Sequence, residues 1–181
     1  AYVSANSLGA AVLLQEVIAR KGQIARMVVA SSMSIYGEGA YVDAAGRPAS
    51  PGLRPDSQLE KREWELRDEA GHELRAIGTP ETKPLLPTSV YAVTKRDHEE
   101  LFLAVGNAYR IPTVALRYFN VYGSRQALSN PYTGVAAIFS SRLLNGKPPL
   151  VTEDGLQSRD FVHVSDIVRA NLLALRCEAA G

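Results

Sequence analysis

From Ala5 to Arg20 the apolar residues Leu8, Ala11, Val12, Leu14, Val17 and Ile18 return at helical spacing, and Gly22 follows as a stop. The next apolar stretch differs in kind. Met27-Val28-Val29-Ala30 is apolar at every position, which suits a strand buried on both faces of a parallel sheet, and it opens into Ser31-Ser32-Met33-Ser34. Residues 37–88 lose this pattern. Prolines, glycines and charges crowd together there, residues 57–69 suit at most a polar helix, and no core stripe runs through them. The stretch is expected to be an inserted surface excursion, not a second domain.

Periodicity returns after Pro87-Thr88-Ser89, where Thr88 or Ser89 suits a helix cap. Val90, Val93, Leu101, Phe102 and Val105 predict a helix over 90–109, with Glu99 and Glu100 facing outward. Residues 112–119 form a second buried run, ended by Asn120-Val121-Tyr122-Gly123. A helix over 135–145 carries Val135, Ile138, Phe139, Leu143 and Leu144. Asp160 to Val164 then suits a short strand, and Ser165-Asp166 caps a last helix bearing Ile167, Val168, Leu172, Leu173 and Leu175. His163 falls inside that strand and is expected to be a hydrogen-bonded core residue. Helices alternating with buried strands predict an α/β layered sheet.

Composition narrows the partners. The chain has 181 residues, 20 basic and 19 acidic side chains and 46% apolar residues, enough for one compact domain with a core. A net charge of +1 gives no argument for nucleic acid or an anionic membrane, so any phosphate-bearing ligand must be gripped locally. The single cysteine, Cys177, rules out an intrachain disulfide and a cysteine-based metal cluster, and it fits a reducing cytoplasm. No apolar run approaches the ~18–20 residues of a membrane span, and the first residues lack a signal-peptide layout. His72, His98 and His163 are widely separated, so no metal site is expected.

Ligands of an open α/β sheet bind beyond the carboxyl ends of its strands, which here read Ser31-Ser32 and Phe119-Asn120-Val121-Tyr122. Tyr91 and Lys95 lie four apart near a predicted helix start and share one face. A free phenol titrates near ~10 and is a poor base at neutral pH. A nearby ammonium favours the phenolate, and a serine hydroxyl from a strand end can bind the same substrate oxygen. Ser32, Tyr91 and Lys95 together could take a proton from an alcohol while a hydride leaves the same carbon.

In order and spacing, five blocks resemble the extended short-chain dehydrogenase/reductase superfamily. They are Asn6-Ser7-Leu8-Gly9, residues 30–37 (Ala-Ser-Ser-Met-Ser-Ile-Tyr-Gly), Tyr91-Ala92-Val93-Thr94-Lys95, residues 116–123 (Leu-Arg-Tyr-Phe-Asn-Val-Tyr-Gly) and residues 159–164 (Arg-Asp-Phe-Val-His-Val). Within it the chain is similar to the NAD-dependent nucleotide-sugar epimerases and dehydratases, nearest the UDP-glucose 4-epimerase type. The resemblance implies the C-terminal part of a Rossmann-type doubly wound parallel sheet. Residues 1–181 would form one partial domain, 37–88 its surface insertion, and 124–158 part of a small substrate lobe.

Residue by residue, the resemblance makes Tyr91 the acid/base, with Lys95 holding the nicotinamide ribose and depressing the tyrosine's pKa. Ser32 matches the catalytic hydroxyl residue. Asn6 matches an asparagine beside the NAD, although a helix N-cap suits it almost equally. Ser31, Tyr118 and Phe119 fall where the cofactor packs. Asn120 and Arg159 match groups that bind the substrate's pyrophosphate, Arg159 having a surface ion pair with Asp160 as its alternative. Thr133 to Val135 resemble a segment lining the nucleotide pocket. Family members commonly form homodimers through the Tyr91 helix and its predecessor.

Two departures qualify the resemblance. Met33 and Ser34 stand where the dehydratases carry an acidic pair, which favours epimerisation over water elimination. No G-x-x-G-x-x-G loop occurs, so the family's first strands are expected to lie outside this chain. The expected function is epimerisation of a nucleotide-linked sugar through a 4-keto intermediate, with tightly held NAD. A reductase, dehydrogenase or decarboxylase on the same scaffold is the alternative, and a non-catalytic binding module the second.

Overall fold

The computed structural model describes residues 1–127 and 134–178. A helical segment with widened, π-type turns (Val3–Leu8) runs into α1 (Gly9–Ala19), and β1 (Met27–Ser32) follows, ended by a 3₁₀ turn at Met33–Tyr36. Then come β2 (Ala40–Val42), β3 (Pro48–Ala49), α2 (Asp56–Glu60) and β4 (Arg75–Ile77). The rest is α3 (Val90–Tyr109), β5 (Thr113–Tyr118), β6 (Asn120–Tyr122), α4 (Val135–Leu144), β7 (Phe161–His163) and α5 (Val164–Arg176). These elements divide into two compact units. One comprises Ala1–Ile35, Thr88–Leu150 and Ser158–Gly181, the other Tyr36–Pro87 and Val151–Gln157.

In the first unit β1 and β5 pair in parallel, from Met27 opposite Thr113 to Ser32 opposite Tyr118. Side chains alternate along a strand, so Met27, Val29 and Ser31 share a face with Thr113, Ala115 and Arg117. Met27 and Val29 join Ala10, Leu14, Phe102 and Ile111 in the core. β1 was expected to be covered on both faces, but Ala30 is exposed, so the continuous apolar run here is buried on one side only. α3 lies over β1 and β5. Its contact with the sheet is tightest at Gly106, where a Cβ would fall 2.1 Å from Thr113 Oγ1 and 2.9 Å from the Ile111 carbonyl.

That docking turns α3 differently from its apolar pattern. Val90 and Val93 are exposed, at 64% and 52%, while Glu99, expected to face outward, is 2% exposed. Lys95, Glu99, Phe102 and Gly106 fall on one helical stripe, and Glu99 can be buried there because Arg117 rises from the same face of β5. Beyond β5 the chain steps at Phe119 into β6, which pairs in parallel with β7, Asn120 opposite Phe161. His163, expected in the core, is exposed, and its ring nitrogen accepts from Ser165 N to cap α5, the role expected of Ser165-Asp166.

The second unit holds an antiparallel sheet in the order β3-β2-β4. Tyr36, Ala40, Val42, Leu66 and Leu74 are buried. Two short turns share one device: Asp43 Oδ1 accepts from the backbone N–H groups of Ala45 and Arg47, and Asp68 Oδ1 from those of Ala70 and His72. An Arg54–Glu153 ion pair of 3.0 Å ties residues 151–157 to this unit. The stretch expected to be a surface excursion therefore carries a small core of its own, and its polar helix is confined to α2. Among the described residues no helix is long and apolar enough to cross a membrane.

Candidate active site

Ser89 starts α3. Its backbone is extended, with φ −139° and ψ 158°, and its hydroxyl accepts from Ala92 N at 3.1 Å. The cap fixes Tyr91 in the first helical turn and Lys95 one turn later on the same face. Tyr91 is 37% exposed, with its ring edge-on to Tyr2 at 5.3 Å. Lys95 Nζ donates to the Ala30 carbonyl of β1, two residues before Ser32. Among the described residues no hydrogen bond joins Tyr91 to Lys95 or to Ser32.

Ser32 is oriented by a residue that composition alone does not single out. Its Oγ accepts from the Ser34 backbone N–H at 3.2 Å and from the Ser34 hydroxyl at 2.9 Å, which leaves its own proton to donate. Half-burial lowers the Lys95 pKa, and the Glu99 charge works in the opposite direction. His98 Nδ1 lies 3.5 Å from Lys95 Nζ, and its ring packs edge-on against Phe102. Burial first, then the Lys95 charge, lower the His98 pKa, with Asp97 opposing them.

Asn6 is not a helix cap. It lies inside the widened turn Val3–Leu8, and its Nδ2 donates to Thr94 Oγ1 at 3.0 Å. The Thr94 hydroxyl donates in turn to the Tyr91 carbonyl at 2.9 Å, so Asn6 braces the turn that carries Tyr91. Ser31 is 3% exposed and its Oγ completes no hydrogen bond, although it lies near enough to the Glu99 carboxylate to favour its charged form.

The other candidates are held by neighbouring elements. Tyr118 is half-buried, and its hydroxyl donates to Asn171 Oδ1 of α5 at 2.9 Å; Phe119 is half-buried at the step between β5 and β6. Asn120 spends its amide on the Asp160 carbonyl at 3.0 Å and the Met33 sulfur at 3.7 Å, joining β6 to the lead-in of β7. Arg159 is exposed and donates to the Ser158 carbonyl at 2.6 Å; among the described residues it forms no ion pair with Asp160. Val135 opens α4 at 38% exposure, and Thr133 lies outside the described residues. No hydrogen bond or ion pair among the described residues joins Val135 or Arg159 to Ser32, Tyr91 or Lys95. No group of three or more His, Cys, Asp or Glu residues among them is placed to hold a metal.

The most consequential feature that periodicity missed is the pair under this site. Glu99 takes a fork from Arg117, with Nη2 at 2.7 Å from Oε1 and Nε at 3.2 Å from both carboxylate oxygens. Burial raises the Glu99 pKa, but the Arg117 hydrogen bonds, with Ser31 and the Arg117 and Lys95 charges, bring it below its ordinary value.

Comparison with known proteins places the chain among nucleotide-sugar epimerases and their relatives. The dTDP-L-rhamnose 4-epimerase of Burkholderia thailandensis is 35% identical over 173 residues, covering 96% of this chain and 47% of that protein. Among solved structures, the UDP-N-acetylglucosamine 4-epimerase of Methanobrevibacter ruminantium superposes with a TM-score of 0.71 at 29% identity, covering 97% of this chain and 45% of its own. The Thermus thermophilus UDP-glucose 4-epimerase, solved with NAD, gives 0.65 at 31% identity, with 97% and 46% covered. The chain thus spans about half the length of these relatives, and its α/β architecture is the corresponding part of a Rossmann-type epimerase fold. Residues 69–181 match the NAD dependent epimerase/dehydratase family, and the chain belongs to that family.

Proposed function

We propose that this chain carries the proton-transfer machinery of an NAD-dependent nucleotide-sugar epimerase acting at C4 of a UDP- or dTDP-linked hexose. The observation that carries the reading is the bond from Lys95, one helical turn after Tyr91 on α3, to the Ala30 carbonyl at the end of β1. Half-buried Lys95 beside partly exposed Tyr91 suits the ribose and nicotinamide end of NAD, to which Asn6, Ser31, Tyr118 and Phe119 are also assigned. The 181 residues contain no glycine-rich loop for the dinucleotide pyrophosphate. When bound, NAD would take a hydride from C4 and give it back.

Within this reading Tyr91 removes the proton of the 4-hydroxyl as the C4–H bond breaks, leaving a 4-keto sugar. Ser32 donates to the same oxygen, and Lys95 favours the tyrosine's ionised form. Return of the proton from Tyr91, with hydride arriving on the opposite face of the ring, gives the C4 epimer. Asn120, Val135 and Arg159 are assigned to the nucleotide-sugar, and residues 124–158 to its lobe. Met33 and Ser34 lack a group to move the proton of a water elimination, which supports epimerisation over dehydration. Exposed Val12, Val90 and Val93 on α1 and α3 support a homodimer through those helices.

The test is interconversion of UDP-glucose with UDP-galactose, and turnover of dTDP-L-rhamnose, in saturating NAD, by the protein and by Tyr91→Phe. Epimer formation lost in Tyr91→Phe, with no net NADH released, is the expected result. Stoichiometric NADH release would favour the dehydrogenase alternative, and full activity in Tyr91→Phe would remove Tyr91 from its role.

A further inference from the structure

Both tasks assigned to Lys95, holding a ribose and keeping positive charge beside Tyr91, need its ammonium charged and fixed. The immediate surroundings work against that. Lys95 is half-buried, the Ala30 carbonyl supplies a dipole without a charge, and the His98 ring offers no negative charge. A counter-charge must come from elsewhere. Glu99 lies one turn further along the same face of α3 and is 2% exposed, so its carboxylate is directed inward and not toward water.

Two strands lie against that carboxylate. Arg117 of β5 clamps it through Nε and Nη2, in the fork geometry that immobilises a carboxylate most firmly. Ser31 of β1 is the register partner of Arg117, so both side chains leave the sheet on the face that Glu99 covers. The Ser31 hydroxyl is buried there with no completed hydrogen bond, which leaves Glu99 as the acceptor it faces. Successive residues of β1, Ala30 by its carbonyl and Ser31 by its hydroxyl, thus face successive turns of α3, at Lys95 and at Glu99.

We propose that Glu99 is a positioning residue for Lys95: held by Arg117 over the β1–β5 pair, one turn along the same face of α3, its carboxylate supplies the negative charge that keeps the Lys95 ammonium charged at the end of β1. Among the described residues no ion pair or hydrogen bond joins Lys95 to Glu99, so the carboxylate acts through space, and Arg117 acts by holding it in place. Asp97 bears on His98 and not on the ammonium. A pair that only stapled α3 to β5 would leave the chemistry of Lys95 unchanged. The proposal rests on the reading above for what Lys95 does in the reaction, but the coupling is measurable without substrate or cofactor.

The experiment is competitive acetylation of the 181-residue chain with trace acetic anhydride at fixed pH. Lys95 labelling is read by peptide mass spectrometry against exposed Lys61 and Lys147. Glu99→Gln is expected to raise the Lys95 ratio severalfold, since removing an opposite charge one turn away favours the free amine. The double variant Glu99→Met with Arg117→Met removes both buried charges and leaves neither orphaned, so it serves if the single variant fails to fold. It should shift the ratio in the same direction. An unchanged Lys95 ratio in a folded variant, judged by circular dichroism, overturns the proposal. A shifted ratio combined with unaltered NAD affinity in Lys95→Met would instead sink the role given to Lys95 and leave the coupling standing.

Discussion

Arg117→Met leaves the buried Glu99 carboxylate without its hydrogen-bonded ion-pair partner, and only the Lys95 charge one turn away still acts on it. Removing one partner of a buried ion pair costs ~3–5 kcal/mol, because the remaining charge keeps its desolvation penalty. The Glu99 side chain is 3% exposed and the Arg117 side chain 24%, so some water can replace the guanidinium, and a loss of about 3 kcal/mol is expected at neutral pH. The pH dependence makes the assignment specific. With Arg117 present the Glu99 pKa is lowered, so its stabilisation is present above the unfolded-state pKa and fades as pH falls through the folded value. Without Arg117, burial, the largest influence on Glu99, is expected to outweigh the Ser31 and Lys95 contributions and raise the folded pKa above the unfolded one, so the carboxylate destabilises at neutral pH and is relieved on protonation. The gap between the two proteins should be widest near pH ~7 and close toward pH ~4. Urea unfolding of the 181-residue chain at both pH values, followed by circular dichroism, measures it. A gap that stays constant with pH, or one under about 1 kcal/mol at neutral pH, would show that Glu99 does not depend on Arg117.

Gly106→Ala should gain ~1 kcal/mol of helix propensity yet lose more to a Cβ placed 2.1 Å from Thr113 Oγ1 and 2.9 Å from backbone; a net destabilisation of about 1–2 kcal/mol is expected, and a stabilised variant would show that helix and strand can part freely. Arg159→Ala should weaken nucleotide-sugar binding by about 1.5–3 kcal/mol and leave NAD binding nearly unchanged, as calorimetry with each ligand would show. The 181 residues by themselves are expected to bind NAD weakly, because they offer no glycine-rich loop to its pyrophosphate; micromolar affinity in a fluorescence titration would mean that other residues here take that part.

The long elements were visible in the sequence because their periodicity is local. α3 starts and stops within a residue of its predicted range, and β1 and β5 stand where the continuous apolar runs are. The second unit was not visible for the opposite reason. Its strands are two or three residues long, too short for alternation to register, and its buried Leu66 and Leu74 lie in a tight hairpin outside named strands. The direction in which α3 faces was also hidden. Val90 and Val93 fit an apolar stripe on paper, but the approach at Gly106 turns the helix so that Lys95, Glu99 and Phe102 meet the sheet.

The candidate site divides along the same physical line. Tyr91 and Lys95 could be paired from sequence because four residues of helix bring two side chains to one face whatever surrounds them. Ser32 could be added because strand ends in an open α/β sheet point at ligands. Glu99 and Arg117 could not be paired in this way, since 18 residues and a strand register separate them and no local rule brings them together. Asn120 and Tyr118 mark the converse limit. Their motif is intact, but the Asp160 carbonyl and Asn171 occupy their polar groups, so a role toward a ligand needs those bonds exchanged or the rings and backbone used instead. A motif thus fixes which groups stand near a site, and tertiary hydrogen bonding decides which of them are free to act there. By that measure Ser32, with its proton unspent, and Tyr91, partly exposed beside Lys95, are the residues on which turnover should depend most steeply.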